Sequence, residues 1–117
     1  MSARWPVELR LDSSKALLTV AFDSGERFEL PAEYLRVESP SAEVQGHAPG
    51  QKQIVAGKRQ VKIAGLEPVG NYAVRLLFDD GHDTGLYSWD YLYELGRGRE
   101  KKWAAYCQGL KARRLER

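Results

Sequence analysis

Apolar and polar residues alternate from Val7 to Asp12, with Val7, Leu9 and Leu11 on one side and Glu8, Arg10 and Asp12 on the other. That is the period of a half-buried strand. Ala16 to Phe22 is a second strand, and Glu26 to Leu30 resumes the alternation after the turn Asp23-Ser24-Gly25, so these two segments are expected to form a hairpin. Pro31 suits the first turn of a short helix, where its missing N–H costs nothing, and Ala32 to Arg36 supplies helix formers with Tyr34 and Leu35 facing inward. Residues 39–58 are polar and rich in Gly, Ser, Pro and Gln, with only Ile54 and Val55 as adjacent apolar residues. They read as a long loop, of the kind that is either functional or mobile.

Gln60 to Ile63 begins a fourth strand, Ala64 to Gly70 turns or bends, and Tyr72 to Phe78 has high β propensity. Asp79-Asp80-Gly81-His82 makes a turn into a short strand, Gly85 to Ser88. Ser88 is placed to cap a helix with Asp90 in its first turn, and Trp89, Leu92 and Tyr93 share a face by their i, i+3, i+4 spacing. Past Gly96 and Gly98 a second amphipathic stretch presents Trp103, Tyr106, Cys107 and Leu110, which makes Cys107 a core thiol rather than a nucleophile. The expected fold is α+β: an antiparallel sheet of about five or six strands, a short helix after the third, and C-terminal helices packed on the sheet.

A chain of 117 residues forms one core, so residues 1–117 are read as one domain. Its 43% hydrophobic and 29% charged residues place it among soluble globular proteins. The N-terminus lacks an apolar signal region and no run is long enough to span a bilayer, so a cytoplasmic protein without a membrane partner is expected. One cysteine excludes an internal disulfide and a thiolate-only metal site. The net charge of +2 divides into +6 over residues 97–117 and −4 over the rest. Arg97, Arg99, Lys101, Lys102, Arg113 and Arg114 of this basic helical tail are the candidate contacts to an anionic partner, set against a plain solvated helix face.

The segment Glu67 to Trp89 holds the densest group of metal or proton-transfer ligands: Asp79, Asp80, His82 and Asp83. Adjacent strand residues point to opposite faces, so Asp79 and Asp80 are expected to bond local N–H groups rather than to share a proton. Ser39 and Ser41 lack a G-x-S-x-G elbow, and the glycines make no phosphate-binding pattern. Tyr72, Tyr87, Trp89, Tyr91 and Tyr93 could stack bases beside Arg75, but their periodicity assigns most of them to core or rim.

Leu35 to His47, LRVESPSAEVQGH, taken with Gly65 to Gly96, GLEPVGNYAVRLLFDDGHDTGLYSWDYLYELG, resembles the gamma-butyrobetaine hydroxylase-like N-terminal domain family, over nearly the whole chain. In the hydroxylases that name the family, this domain precedes a separate iron and 2-oxoglutarate catalytic domain. It binds a structural zinc through three cysteines that follow a Leu-Arg pair and a histidine in an Asp-Gly-His turn. The resemblance places the histidine on His82 and the cysteines on Ser39, Ser41 and Val44, which implies that the structural zinc is absent, since a hydroxyl is a weak zinc ligand and valine is none. With the chain ending at Arg117, hydroxylase activity is not expected to carry over. Similar domains at the end of P-loop iron–sulfur proteins suggest a role in metal handling by analogy.

The sharpest site expected is iron(II) or zinc held by His82 and His47 with Asp80 or Asp83, against the alternative that His82 only hydrogen-bonds around the former zinc position. The first functional reading is a small non-catalytic accessory module with a protein partner. An iron- or metal-binding protein serving iron–sulfur or metalloenzyme maturation comes second, nucleic-acid binding through the tail third, and an enzyme last.

Overall fold

The computed structural model describes residues 5–46 and 50–117. Strands β1 (Pro6–Leu11), β2 (Leu17–Phe22) and β3 (Arg27–Pro31) form one antiparallel meander, and β4 (Ile63–Val69), β5 (Ala73–Phe78) and β6 (Gly85–Ser88) form another. The six strands thus lie in two three-stranded sheets. Helices α1 (Ala32–Val37), α2 (Ala42–Gln45), α3 (Trp89–Arg97) and α4 (Arg99–Ala112) complete an α+β fold.

Both sheets contribute to one core. Leu18, Val20, Phe22 and Leu30 from the first pack with Ile63, Val74, Leu76, Phe78 and Tyr87 from the second, together with Leu92 and Leu95 of α3. Burial of this apolar surface is the main stabilising term. The backbone N–H of Ile63 donates to the Lys15 carbonyl at 2.8 Å, which ties the two sheets at one end.

Two strands differ from the simple alternation. Pro6 pairs with Phe22 while Glu8 pairs with Ala21, so Val7 is the extra residue of a β-bulge and is exposed, whereas Leu9 and Leu11 pack on the core. The segment from Ala64 that reads as a bend belongs to β4. Proline is tolerated at Pro68 because β4 is an edge strand, whose outer side has no ladder to complete.

Helix α1 leaves β3 through Pro31, its N-cap, and is buried along nearly its whole length. Ser88 caps α3 as its position suggests, accepting the Tyr91 N–H at 3.1 Å. The described residues between α1 and β4 hold more structure than a loop reading implies. They include the single turn α2, and Ile54 and Val55 pack with Val37, Tyr106 and Leu110 in a second apolar cluster under α4.

Two helical glycines mark close approaches. A Cβ at Gly96 would lie 2.4–2.7 Å from ring atoms of Phe28, itself held edge-on by Phe22 and Tyr93, while a Cβ at Gly109 would meet only the flexible tip of Ile54 at 2.7 Å. Gly96→Ala should therefore cost about 1–3 kcal/mol by forced repacking. Gly109→Ala should stay within about 1 kcal/mol, because alanine's helix preference offsets a small shift of Ile54. Urea denaturation of both variants checks this order of effects.

Candidate functional site

After α1 the chain turns through Glu38 and Ser39 into the N-terminus of α2, and this turn meets the β5–β6 turn that carries His82. Ser39 is fully buried, and Ser41, Val44 and His82 are buried beside it in the fold. The Ser39 hydroxyl lies 2.8 Å from Nε2 of His82, the Ser41 hydroxyl lies 3.4 Å from the same nitrogen, and the two hydroxyls are 3.3 Å apart. Ser41 is the N-cap residue of α2, yet its side chain makes no capping bond, because it is turned toward His82 and Ser39. On the other side of the ring Nδ1 faces Glu43 Oε2 at 3.9 Å, and Glu43 also accepts the Thr84 hydroxyl.

Backbone constraints hold the β5–β6 turn. Gly81 has φ +90°, the Phe78 N–H donates to the His82 carbonyl at 3.0 Å, and the His82 ring packs against Phe78. Gly85 completes the fit: a Cβ there would come within 2.6 Å of the Ser39 hydroxyl.

Asp79 and Asp80 serve separate partners. Asp79 Oδ1 accepts the Lys62 N–H at 3.0 Å, and Asp80 Oδ1 accepts the His82 N–H at 3.1 Å, as expected for turn carboxylates. The other Asp80 oxygen takes Arg36 Nε at 2.8 Å and Lys58 Nζ at 2.6 Å. Burial alone would raise the Asp80 pKa, but Lys58, the His82 amide and Arg36 together outweigh it and hold the group at about 2. Asp80 is therefore committed to two cations, and Asp83 is exposed, with its carbonyl accepting from Arg75. His47 lies outside the described residues. Among the described residues no group of three or more His, Cys, Asp or Glu side chains is placed to hold a metal ion.

His82 titrates below the ordinary histidine range, first because it is buried and next because Arg36 opposes a second positive charge nearby. The order Ser39, His82, Glu43 has the chemical types of a hydrolytic triad, but Ser39 has no exposed surface and the carboxylate stands 3.9 Å from the ring. No substrate carbonyl can reach that hydroxyl in this arrangement.

Sequence reading missed Arg36, Lys58 and Glu43 as members of this site. Arg36 was signalled by the Leu-Arg pair that precedes the Ser-Pro-Ser turn. One nitrogen of its guanidinium, Nη1, is buried without a hydrogen-bond partner.

The basic segment is largely engaged with the domain. Arg97 pairs with Glu26, Arg99 donates to the Glu29 carbonyl at 2.7 Å, Lys102 approaches Glu94, and Arg113 donates to the Gly109 carbonyl. Arg117 makes a two-pronged pair with Glu33 at 2.8 and 3.0 Å, while Lys101 and Arg114 are exposed. No helix among the described residues is long and apolar enough to cross a membrane.

Residues 9–93 match the model of the family described as gamma-butyrobetaine hydroxylase-like, N-terminal. The chain belongs to this family. No curated protein matches it. Two solved relatives, both NMR solution structures, share 45% and 46% identity with the chain; each covers 99% of it, with 91% and 86% of the relative covered and TM-scores of 0.86 and 0.85. A crystal structure of a protein of unknown function from Acidithiobacillus ferrooxidans is 40% identical, covering 78% of this chain and 91% of the relative with a TM-score of 0.65. Residues 9–93 are thus a gamma-butyrobetaine hydroxylase-like N-terminal domain.

The charges of the site set its response to acid. As pH falls below the ordinary histidine range, the unfolded chain takes up a proton that folded His82 resists, so stability is lost from about pH 6.5 downward. Asp80 contributes stability above the usual carboxylate range that is lost as pH falls from about 4 toward 2. Melting temperature against pH should thus decline in two stages. His82→Gln should flatten the upper stage, and Asp80→Asn should lower stability at pH 7 and remove much of the lower one.

Proposed function

We propose that this domain is a cytoplasmic accessory module that acts by contact with a protein partner rather than by chemistry. In this reading its Ser39, Ser41, Val44 and His82 positions form a metal-free staple where zinc-bearing relatives hold an ion. The observation that carries the reading is the pair of buried hydroxyls on one histidine nitrogen, Ser39 at 2.8 Å and Ser41 at 3.4 Å. These bonds join the same two segments that a zinc ion would join, the turn after α1 and the β5–β6 turn. Net worth differs: neutral hydrogen bonds contribute about 1 kcal/mol each, whereas a structural zinc contributes on the order of 10 kcal/mol. Loss of the ion therefore asks more of the surrounding core, and the apolar cluster of both sheets and α3 is in place to supply it.

The test is to rebuild the thiolate set. Ser39→Cys, Ser41→Cys and Val44→Cys combined should give a chain that, refolded with zinc, binds one ion per molecule by elemental analysis and melts several degrees higher than without it. The unaltered domain should show no rise in melting temperature with zinc or iron(II). A folded triple variant that takes up no zinc would remove the staple reading, and a rise in the unaltered domain, abolished by His82→Ala, would favour a metal-binding role instead.

A further inference from the structure

Helix α4 stops where its sequence does not ask it to. Residues 112–117, Ala-Arg-Arg-Leu-Glu-Arg, are all good helix formers with neither glycine nor proline among them, yet the helix ends at Ala112. Arg114 takes a left-handed backbone there, with φ +56°. Its N–H donates to the Lys111 carbonyl at 3.1 Å and the Leu115 N–H to the Leu110 carbonyl at 2.9 Å, a helix ending that usually places glycine where Arg114 stands. Local preference favours a longer helix, so a contact farther along holds the chain back.

Arg117 makes that contact. Its guanidinium gives Glu33 two bonds, at 2.8 and 3.0 Å, and lies 5.3 Å from the centre of the Trp103 ring, so a carboxylate and an aromatic face together hold one planar cation. The Glu33 side chain is 9% exposed and that of Arg117 40%, which makes the domain the receptor and the tail residue its solvent-side occupant. The tail is otherwise tied to the domain by the Gly57 N–H, which donates to the Glu116 carbonyl at 3.0 Å, while Leu115 stays exposed. A second carboxylate, Glu100, lines the cleft of about 810 Å³ alongside, whose arginines Arg97 and Arg99 are drawn to Glu26 and to the Glu29 carbonyl. Without Arg117, Glu33 would be a shielded carboxylate lacking a cation beside an uncovered indole.

We propose that Glu33 and Trp103 form a receptor for an arginine side chain of a partner protein, and that residues 113–117 are a latch that fills it with Arg117 until the incoming arginine takes its place. Release lets α4 run on through these residues, which relieves the left-handed backbone at Arg114 and offsets part of the cost of breaking the Arg117 contact. Arginine is favoured over lysine because only a planar fork meets both carboxylate oxygens while lying on the ring. An occupant tethered this close competes at high effective concentration, so the unaltered domain binds a free arginine weakly and loss of Arg117 unmasks the site. Such a receptor rests on the reading of the domain as a partner-contact module, and no residue of the His82 cluster takes part in it.

The test uses the whole chain, labelled with carbon-13 and nitrogen-15, and N-acetyl-arginine methylamide as the probe, with its lysine counterpart as control. Arg117→Ala should bind the arginine probe with saturable shifts at the Trp103 indole N–H, at least tenfold more tightly than the unaltered domain does and at least threefold more tightly than it binds the lysine probe. Carbon shifts of residues 113–116 should move toward helical values in the same variant. Glu33→Gln, added to Arg117→Ala, removes a carboxylate already without its cation, so it should leave the spectrum otherwise unchanged and abolish binding. No shift at the indole, equal affinity with and without Arg117, equal affinity for lysine, a tail that stays non-helical, or binding that survives Glu33→Gln would each overturn the receptor and latch. The partner-contact reading would outlast that result, since it fails on a different observation, metal uptake by the unaltered domain.

Discussion

A six-residue helix with almost no exposed surface imposes the main constraint on this fold. α1 carries Ala32, Tyr34, Leu35 and Val37 into the interior, and the turn that follows it buries Glu38 and Ser39. A buried helix end leaves carbonyls that water cannot reach, and each must find a donor. Tyrosines provide them: the Tyr87 hydroxyl donates to the Leu35 carbonyl and the Tyr91 hydroxyl to that of Glu38, while Tyr34 returns a bond to the Leu95 carbonyl of α3. Burial raises the pKa of all three hydroxyls, so they remain neutral donors. These bonds join α1 to β6 and α3, and they fix where Arg36 and Ser39 emerge.

The same need for partners organises the shielded carboxylates. Glu33, Glu38 and Asp80 are each largely withdrawn from water, and each meets a cation from a distant part of the chain: Arg117, Lys52, and Arg36 with Lys58. Partly exposed pairs of this kind add little net stability compared with apolar packing, but losing the cation leaves a shielded carboxylate uncompensated, so they specify which segments must meet. The basic C-terminal region is accordingly part of the domain's internal pairing as well as a source of surface charge. In the same way, the Ser39, Ser41 and His82 cluster is a satisfied polar contact between two turns, closed to solvent on the hydroxyl side.

Much of the architecture was legible because local signals agreed with it. The β2–β3 hairpin, the strong β5 strand, and α3 with its Ser88 cap follow from alternation, turn residues and capping chemistry. The misreadings have physical causes. Val7 fits an alternating pattern but is displaced by a bulge, and Pro68 hides β4 from a propensity reading although an edge strand can accept it. Segment 39–58 is polar by composition, yet Ile54 and Val55 find an apolar surface on α4, and Tyr106 donates to the Val55 carbonyl.

By itself the sequence determined which residue types the site contains and which elements carry them: a histidine in a glycine turn, two serines around a proline, and no thiolate to accompany them. It also determined the α+β class, since periodicity and capping are local properties of the chain. Only the tertiary structure decided that both hydroxyls converge on one nitrogen of His82, and that Asp80 turns to Arg36 and Lys58 rather than toward that ring. The meeting depends on segments some forty residues apart being brought together by a shared core, on Gly85 leaving room for Ser39, and on α1 being anchored by tyrosine hydroxyls. Spacing along the chain carries no record of those distances, because they are set by what packs between the segments.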